Sequence, residues 1–117
     1  YEEYPRKKLS GVLNGHISAV FGIKELSKVD QDYISLSNEN IENMKIILPL
    51  YDCGYFSFYS LDGNISSGFY HRYVVKQLKV LEGMDPYFKQ HRLKFESYQL
   101  NMLNVLTALA NKIRYNL

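Results

Sequence analysis

Two tyrosines, Tyr59 and Tyr70, flank a loop that contains Asp62-Gly63 and Gly68. A phenol can donate or accept a proton, and a neighbouring positive charge lowers its pKa so that it can act as a base. Glycines nearby let the backbone approach a ligand closely. The pair therefore indicates proton transfer on a polar substrate, whereas most of the chain is typical of packing.

The composition is that of one globular domain. The chain has 117 residues, of which 46% are hydrophobic and 22% are charged, and its formal net charge is +2. This charge is too small to predict binding to nucleic acid. The single cysteine, Cys53, excludes an internal disulfide and a cysteine-built zinc site. The first residue is Tyr1, with no initiator methionine and no signal-peptide pattern, so we expect the chain to be a piece of a longer protein.

The clearest predicted element is a C-terminal helix. Apolar residues recur at three- and four-residue steps from Phe88 to Ile113, which places them on one helix face. Asp85 can cap the helix, and Pro86 suits its first position. The pattern predicts one long helix from about residue 86 to about residue 114.

Three further helices are predicted upstream from the same periodicity. One covers residues 10–26, and one follows Ser37 as N-cap and stops near Pro49. The third covers residues 68–82 and ends at Gly83 as a C-cap. The polar residues between the first two helices are expected to form a connection from 27 to 36.

The segment from residue 55 to residue 65 differs from its neighbours. It alternates like a strand, and Asp62-Gly63 is a hairpin-type dipeptide, as is Asn14-Gly15. These signals leave a mixed arrangement of hairpins and helices as the alternative for the first two-thirds. The helical steps on both sides favour an irregular or short strand-like loop within a helical chain.

A series of short motifs runs along the chain in a fixed order. They are Glu3-Tyr4-Pro5, Val12-Leu13-Asn14-Gly15, Leu48-Pro49-Leu50-Tyr51-Asp52-x-Gly54, Tyr59, Tyr70-His71 with Gln77-Leu78, Phe88-Lys89, Phe95 and Ser97-Tyr98. This series resembles the C-terminal catalytic domain of D-glucuronyl C5-epimerases. Those enzymes are isomerases that convert glucuronic acid units of heparosan- or heparan-type chains into iduronic acid. The resemblance extends from about residue 2 to residue 98.

The resemblance implies an all-α fold, with residues 1–117 as the C-terminal part of an α/α toroid. The toroid is incomplete in this chain, and an irregular loop is expected around residues 51–66. The family's β-rich domains and its remaining catalytic residues would lie upstream of Tyr1. This segment alone is therefore expected to be inactive and to need the N-terminal portion of the same protein.

The resemblance also implies catalytic residues. The family's two C-terminal tyrosines fall on Tyr59 and Tyr70, and its glutamate falls on Glu3. Epimerisation removes the C5 proton, which lies alpha to a carboxylate, and returns a proton to the opposite face. Two phenols, or a phenol and a glutamate, on opposite sides of the sugar satisfy this without a cofactor or a metal. The substrate carboxylate must also be neutralised, and which tyrosine is acid and which is base stays open.

Four residues are candidates for substrate binding. His71 and Arg72, beside the second tyrosine, could supply positive charge, although the sequence favours a structural hydrogen-bonding role for His71 over a catalytic one. Asn14 and His16 belong to a matching segment, where packing and contact with the substrate are both compatible with His16. Partners implied are an acidic polysaccharide substrate and, through the apolar stripe that continues over 99–117, another helix pair or a second copy of the chain.

The chain departs from the family pattern in three places. The loop between the tyrosines is shorter than in the animal enzymes, and Ser60-Leu61-Asp62 stands where the family has an Arg-His pair. Val74 replaces a family histidine. We expect these differences to bear on substrate length and sulfation more than on the reaction type.

Two other functions compete with the epimerase. A uronate polysaccharide lyase on the same toroid would remove the same proton but expel the C4 oxygen. A non-catalytic helical bundle that binds carbohydrate or acts as a sensor needs no acid–base pair. Loss of proton exchange at C5 on removing the phenols would separate the catalytic functions from the third.

Overall fold

The computed structural model describes residues 11–116, which form five α-helices. They are α1 (Leu13–Val29), α2 (Ile34–Ile47), α3 (Gly68–Met84), α4 (Phe88–Leu100) and α5 (Met102–Asn116). Short 3-10 segments at Gln31–Tyr33 and Leu48–Tyr51 flank α2. The predicted all-α class is confirmed, whereas the toroid stays a prediction. None of the helices in this described range is long and apolar enough to cross a membrane.

The prediction of a single C-terminal helix is wrong, because the helix is interrupted at Asn101. Its backbone is extended, with φ −93° and ψ 112°, and its Oδ1 accepts hydrogen bonds from the N–H groups of Leu103 at 3.0 Å and Asn104 at 3.3 Å. This is N-cap geometry, in which a side chain satisfies the first free N–H groups of a helix. Periodicity does not detect such a break when the apolar spacing continues on both sides.

The other helix boundaries also shift. Ser37 does not cap α2 but is buried inside it, and a 3-10 turn shortens the predicted connection between α1 and α2 to a few residues. The turn begins at Asp30, whose Oδ1 accepts a hydrogen bond from the N–H of Asp32 at 2.9 Å. Gly83 lies within α3, which ends before Asp85. Asn14-Gly15 lies inside α1 and forms no hairpin turn.

The core is built around α3, which packs on α4 and on α1, while α1 packs on α2. Each helix contributes apolar residues from one face, as the predicted stripes require. The largest fully buried apolar side chains are Leu13, Ile17, Met44, Leu48, Tyr51, Phe56, Leu78, Leu81, Phe88 and Phe95. Burying one such side chain contributes about 1.5–3 kcal/mol relative to exposure, so this core holds together α3, which carries Tyr70, and the helices that flank the loop with Tyr59.

The loop after Tyr51 is irregular and strand-like, as predicted. Isolated antiparallel bridges pair Asp52 with Ser57, Phe58 with Ile65, and Val12 with Ser60. Gly63 adopts φ +93° in the turn between two bridged positions, a backbone conformation that favours glycine. No longer strand occurs within residues 11–116, so the alternative mixed arrangement is wrong for that range.

Candidate functional site

The structure brings Tyr59 and Tyr70 into direct contact. Their ring centroids lie 5.0 Å apart at an interplanar angle of 64°, an edge-to-face arrangement that aromatic rings prefer. Tyr59 is half-buried in the loop, and Tyr70, the third residue of α3, is 36% exposed. Two of the three predicted catalytic residues therefore lie side by side at the surface. The third, Glu3, lies outside the described residues.

Backbone hydrogen bonds on both sides of Tyr59 hold its part of the loop. The N–H of Tyr59 donates to the carbonyl of Asn64 at 2.6 Å, across the glycine turn. Its carbonyl accepts from the N–H of Leu13 at 3.1 Å, one of the N–H groups that the first turn of a helix leaves unpaired. The start of α1 thus fixes the position of the tyrosine.

Tyr70 is positioned by the N-cap of α3. The hydroxyl of Ser67 accepts a hydrogen bond from the N–H of Tyr70 at 3.3 Å, which is a serine cap in its usual place. Phe69 packs edge-on against the Tyr70 ring at 5.4 Å and is 66% exposed. The first turn of α3 therefore presents two aromatic rings, and only the tyrosine was predicted as a site residue.

His71 lies in the core and not at the surface. Its Nε2 is 2.7 Å from the carbonyl of Phe95 and its Nδ1 is 2.7 Å from the hydroxyl of Ser57, while its ring stacks on Phe56 at 3.8 Å. Because a carbonyl can only accept, Nε2 must carry the proton, and Nδ1 then accepts from Ser57. Burial, followed by smaller effects that include the charge of Arg72, lowers the pKa of His71, so its ring is neutral at pH 7.

This placement favours the structural role of His71 over contact with a substrate. A neutral, fully enclosed imidazole cannot supply charge to a carboxylate. Arg72 is exposed on α3, and among the described residues the cation that lies over a ring of the tyrosine pair is Lys112 and not Arg72. The Nη1 of Arg72 lies 3.2 Å from the position that a Cβ at Gly68 would occupy.

The remaining two candidates lie on α1. Asn14 is half-buried, and its carbonyl accepts a hydrogen bond from Gln77 Nε2 at 3.3 Å. His16 lines a cleft of about 180 Å³ between α1 and α2, together with Asn40 and Asn43. Its ring also meets the edge of the buried Tyr51 ring at 6.3 Å. Neither Tyr59 nor Tyr70 lines that cleft, so His16 and the tyrosine pair belong to different surfaces.

Lys112 is a residue at the site that the sequence did not indicate. Its Nζ lies 5.6 Å from the centroid of the Tyr59 ring, a cation–π distance. The same ammonium donates a hydrogen bond to Asn64 Oδ1 at 3.0 Å. No local signal could have found this contact, because Lys112 lies on α5, far along the chain from the loop it touches.

Asp52, from the Leu-Pro-Leu-Tyr-Asp motif, anchors the base of the loop. Its Oδ1 accepts hydrogen bonds from the N–H of Gly54 at 2.8 Å and the hydroxyl of Tyr98 at 2.9 Å. Its Oδ2 forms an ion pair with Lys94 at 2.8 Å. Partial burial acts to raise the pKa of Asp52, but the hydrogen bonds from Lys94, Gly54 and Tyr98 outweigh it and lower the pKa below its usual value. The motif therefore ties the loop to α4.

The described residues offer no evident metal centre. Within residues 11–116 no group of three histidine, cysteine, aspartate or glutamate side chains is arranged to hold a metal ion. What these residues do bring together is two phenols in ring contact and an ammonium group 5.6 Å from one of the rings.

Comparison with known proteins identifies the family. Residues 1–97 match the D-glucuronyl C5-epimerase C-terminus, and the chain belongs to this family. The D-glucuronyl C5-epimerase of Caenorhabditis elegans is 29% identical over 106 residues, an alignment that covers 73% of this chain and 17% of that protein. The predicted resemblance is thus confirmed, and the chain spans only a small part of the relative's length. Helix α5 lies beyond residues 1–97, the part of the chain that matches the family.

Proposed function

We propose that the protein containing this chain inverts C5 of D-glucuronic acid units in a heparosan- or heparan-like polysaccharide. The observation that carries the proposal is the contact between Tyr59 and Tyr70, at 5.0 Å between ring centroids, in a chain of the C5-epimerase family. This segment contributes the two phenols. Glu3 is the third catalytic residue proposed from this chain, and the rest of the site comes from the N-terminal portion of the protein.

The geometry of the pair limits how the phenols can act. A sugar ring between two aromatic groups needs roughly 7 Å, twice a carbon–carbon contact distance, and the two tyrosine rings are closer than that. We therefore place both phenols on one face of the uronate. One takes the C5 proton, the other stabilises the phenolate by a hydrogen bond, and an acid from elsewhere in the protein returns a proton to the opposite face.

Charge also has to be managed during the reaction. Removing the C5 proton leaves its electron pair delocalised into the carboxylate, which becomes a dianionic enediolate. Reprotonation at C5 from the other face restores the carboxylate with inverted configuration. No atom other than hydrogen is exchanged, so the overall reaction requires neither oxidant nor leaving group.

The test uses full-length protein, a heparosan oligosaccharide and D2O. We expect the wild type to incorporate deuterium at C5 without cleaving the chain, as followed by NMR. Tyr59→Phe and Tyr70→Phe each remove one phenol and should slow incorporation by about 100-fold or more, the usual size of a general acid–base contribution. Tyr33→Phe, in the turn between α1 and α2, is the matched control and should exchange at the wild-type rate.

Other outcomes distinguish the alternatives. Chain cleavage with ultraviolet absorbance of an unsaturated uronate would identify a lyase, because elimination of the C4 oxygen creates a double bond. If the wild type shows no C5 exchange at all but binds the oligosaccharide, the protein is a binding module. Exchange that persists in both phenylalanine variants would remove the tyrosines from the mechanism.

A further inference from the structure

A uronate carboxylate at the tyrosine pair calls for a positive charge, and His71, next to Tyr70 in the sequence, does not provide it. The uronate carboxylate is attached directly to the carbon that reacts, and its negative charge grows in the transition state. His71 is neutral and enclosed, and the Arg72 guanidinium reaches back to Gly68 and is not the cation that lies over a ring of the pair. The loop beside Tyr59 carries Asp62, a carboxylate, which accepts a hydrogen bond from the hydroxyl of Tyr115 at 3.1 Å.

Helix α5 brings an ammonium group to this position. The stem of Lys112 lines a cleft of about 140 Å³ between the start of α3 and α5, with Ser67, Gly68 and Ala108 among its neighbours. A long apolar stem that runs over a protein surface and ends in a charged head is typical of lysine. The head of Lys112 lies over the Tyr59 ring, 5.6 Å from its centroid.

We infer that Lys112 binds the carboxylate of the uronate whose C5 faces the tyrosine pair. An ammonium has three N–H donors, and Asn64 takes one of them at 3.0 Å. Asn64 also fixes the loop, since its carbonyl accepts from the N–H of Tyr59 at 2.6 Å. Asn64 therefore holds both the ammonium group of Lys112 and the backbone of Tyr59. A substrate carboxylate bound to this ammonium group would place C5 beside the Tyr59 phenol.

The inference rests on the proposed function but concerns a part of the chain outside the family match. That match ends at residue 97, and α5 begins at Met102. Carboxylate binding would therefore be a contribution of this chain's own C-terminal helix. Lys112 on this helix places a positive charge near Tyr59, whereas the adjacent residues Ser60-Leu61-Asp62 carry none.

The test compares two ligands and three variants of the full-length protein. The ligands are a heparosan tetrasaccharide and the same tetrasaccharide with its carboxyl groups reduced to alcohols, and calorimetry measures both dissociation constants. We expect the wild type to prefer the carboxylated ligand by roughly tenfold to a hundredfold, as a charge-assisted hydrogen bond implies. Lys112→Met should lose most of this preference, and Lys112→Arg should keep part of it.

Arg114→Met is the matched control. It removes one positive charge from the same helix, but Arg114 lines a different cleft with Tyr55 and Asn111. Both variants weaken long-range attraction of the ligand equally, so a difference between them reports direct contact with the carboxylate. We expect Arg114→Met to keep the wild-type preference. Amide hydrogen exchange in α5 checks folding, and Lys112→Gln replaces the methionine variant if that helix loses its protection.

The results separate the inference from the function on which it rests. If the wild type exchanges C5 hydrogen but Lys112→Met keeps the ligand preference, the role of Lys112 is refuted and the epimerase stands. The role is also refuted if Arg114→Met loses the preference equally. If the wild type shows no exchange, the epimerase fails, and the ligand preference still decides whether Lys112 binds a carboxylate.

Discussion

At the scale of single residues, one buried hydrogen bond sets the relation between the two phenols. Ser57 precedes Tyr59 by two positions and His71 directly follows Tyr70, and their side chains are joined at 2.7 Å. Ser66 extends the contact, with its hydroxyl 3.0 Å from that of Ser57. The loop and α3 are therefore locked together one layer beneath the tyrosines, where water does not compete for the hydrogen bond.

Ser57→Ala tests this lock. The change leaves Nδ1 of His71 buried without its partner, which costs about 1–3 kcal/mol. We expect faster amide exchange in peptides that cover residues 55–60, together with slower deuterium incorporation at C5 of a heparosan oligosaccharide. Ser97→Ala serves as the control, because Ser97 lies exposed on α4 and bonds only its own helix, at Lys94 O. Unchanged exchange in the loop of the Ser57 variant would contradict the proposed lock.

The sequence identified Tyr59, Tyr70 and His71 through motifs, but it could not assign their surroundings. Adjacent positions such as Tyr70 and His71 point to different sides of a helix, so one reaches the surface and the other the core. Which side faces inward depends on the helices packed against it. The contact of Lys112 with the loop depends in the same way on the fold, and no spacing within the sequence reports it.

At the scale of elements, the break at Asn101 separates a helix that packs deeply from one that packs lightly. Helix α4 buries Phe88, Phe95 and Tyr98, whereas Ala108 is the buried residue of α5. Periodicity located both helices, because each keeps an apolar face. It missed the break, which is encoded in the hydrogen-bonding capacity of one asparagine side chain.

Asn101→Ala tests the cap. Losing the two hydrogen bonds to Leu103 and Asn104 is expected to destabilise the start of α5 by about 1 kcal/mol, or roughly fivefold in the local opening equilibrium. Hydrogen exchange of the amides in the first turn of α5 measures it. Asn38→Ala is the control, since Asn38 is exposed within α2 and alanine favours a helix. An unchanged first turn would show that α5 does not depend on this cap.

At the scale of the whole molecule, the chain is flat and open for its length. Its radius of gyration is 14.8 Å and its extents are 46 × 33 × 20 Å, whereas a compact chain of about 100 residues has a radius near 13 Å. Large apolar side chains on α5, including Met102, Leu106 and Leu109, are more than half exposed. This shape suits a segment that completes its packing on other parts of a larger protein.

The ion pair and hydrogen bonds of Asp52 join the loop to α4, so the stability of this attachment should depend on pH. The folded pKa of Asp52 is lowered, so its contribution to stability is present above its ordinary pKa of 3.8 and is lost as the pH falls through the lower folded value. We expect Asp52→Asn to lower the urea concentration at which peptides 52–60 lose protection at pH 7. The difference between the two proteins should shrink as the pH falls below 3.8 and through the lower folded pKa of Asp52, and a difference that stays constant would exclude this ionic anchor.

The position of α5 matters when the boundaries of a shortened protein are chosen from the family match. A version ending at residue 97 would keep both tyrosines and all the residues matched to the family. It would nevertheless lose Lys112, which holds Asn64, and Asn111, which donates a hydrogen bond to the hydroxyl of Tyr55. The segment matched to the family and the segment that supports the tyrosine loop therefore end at different residues, and the surroundings of Tyr59 depend on the longer segment.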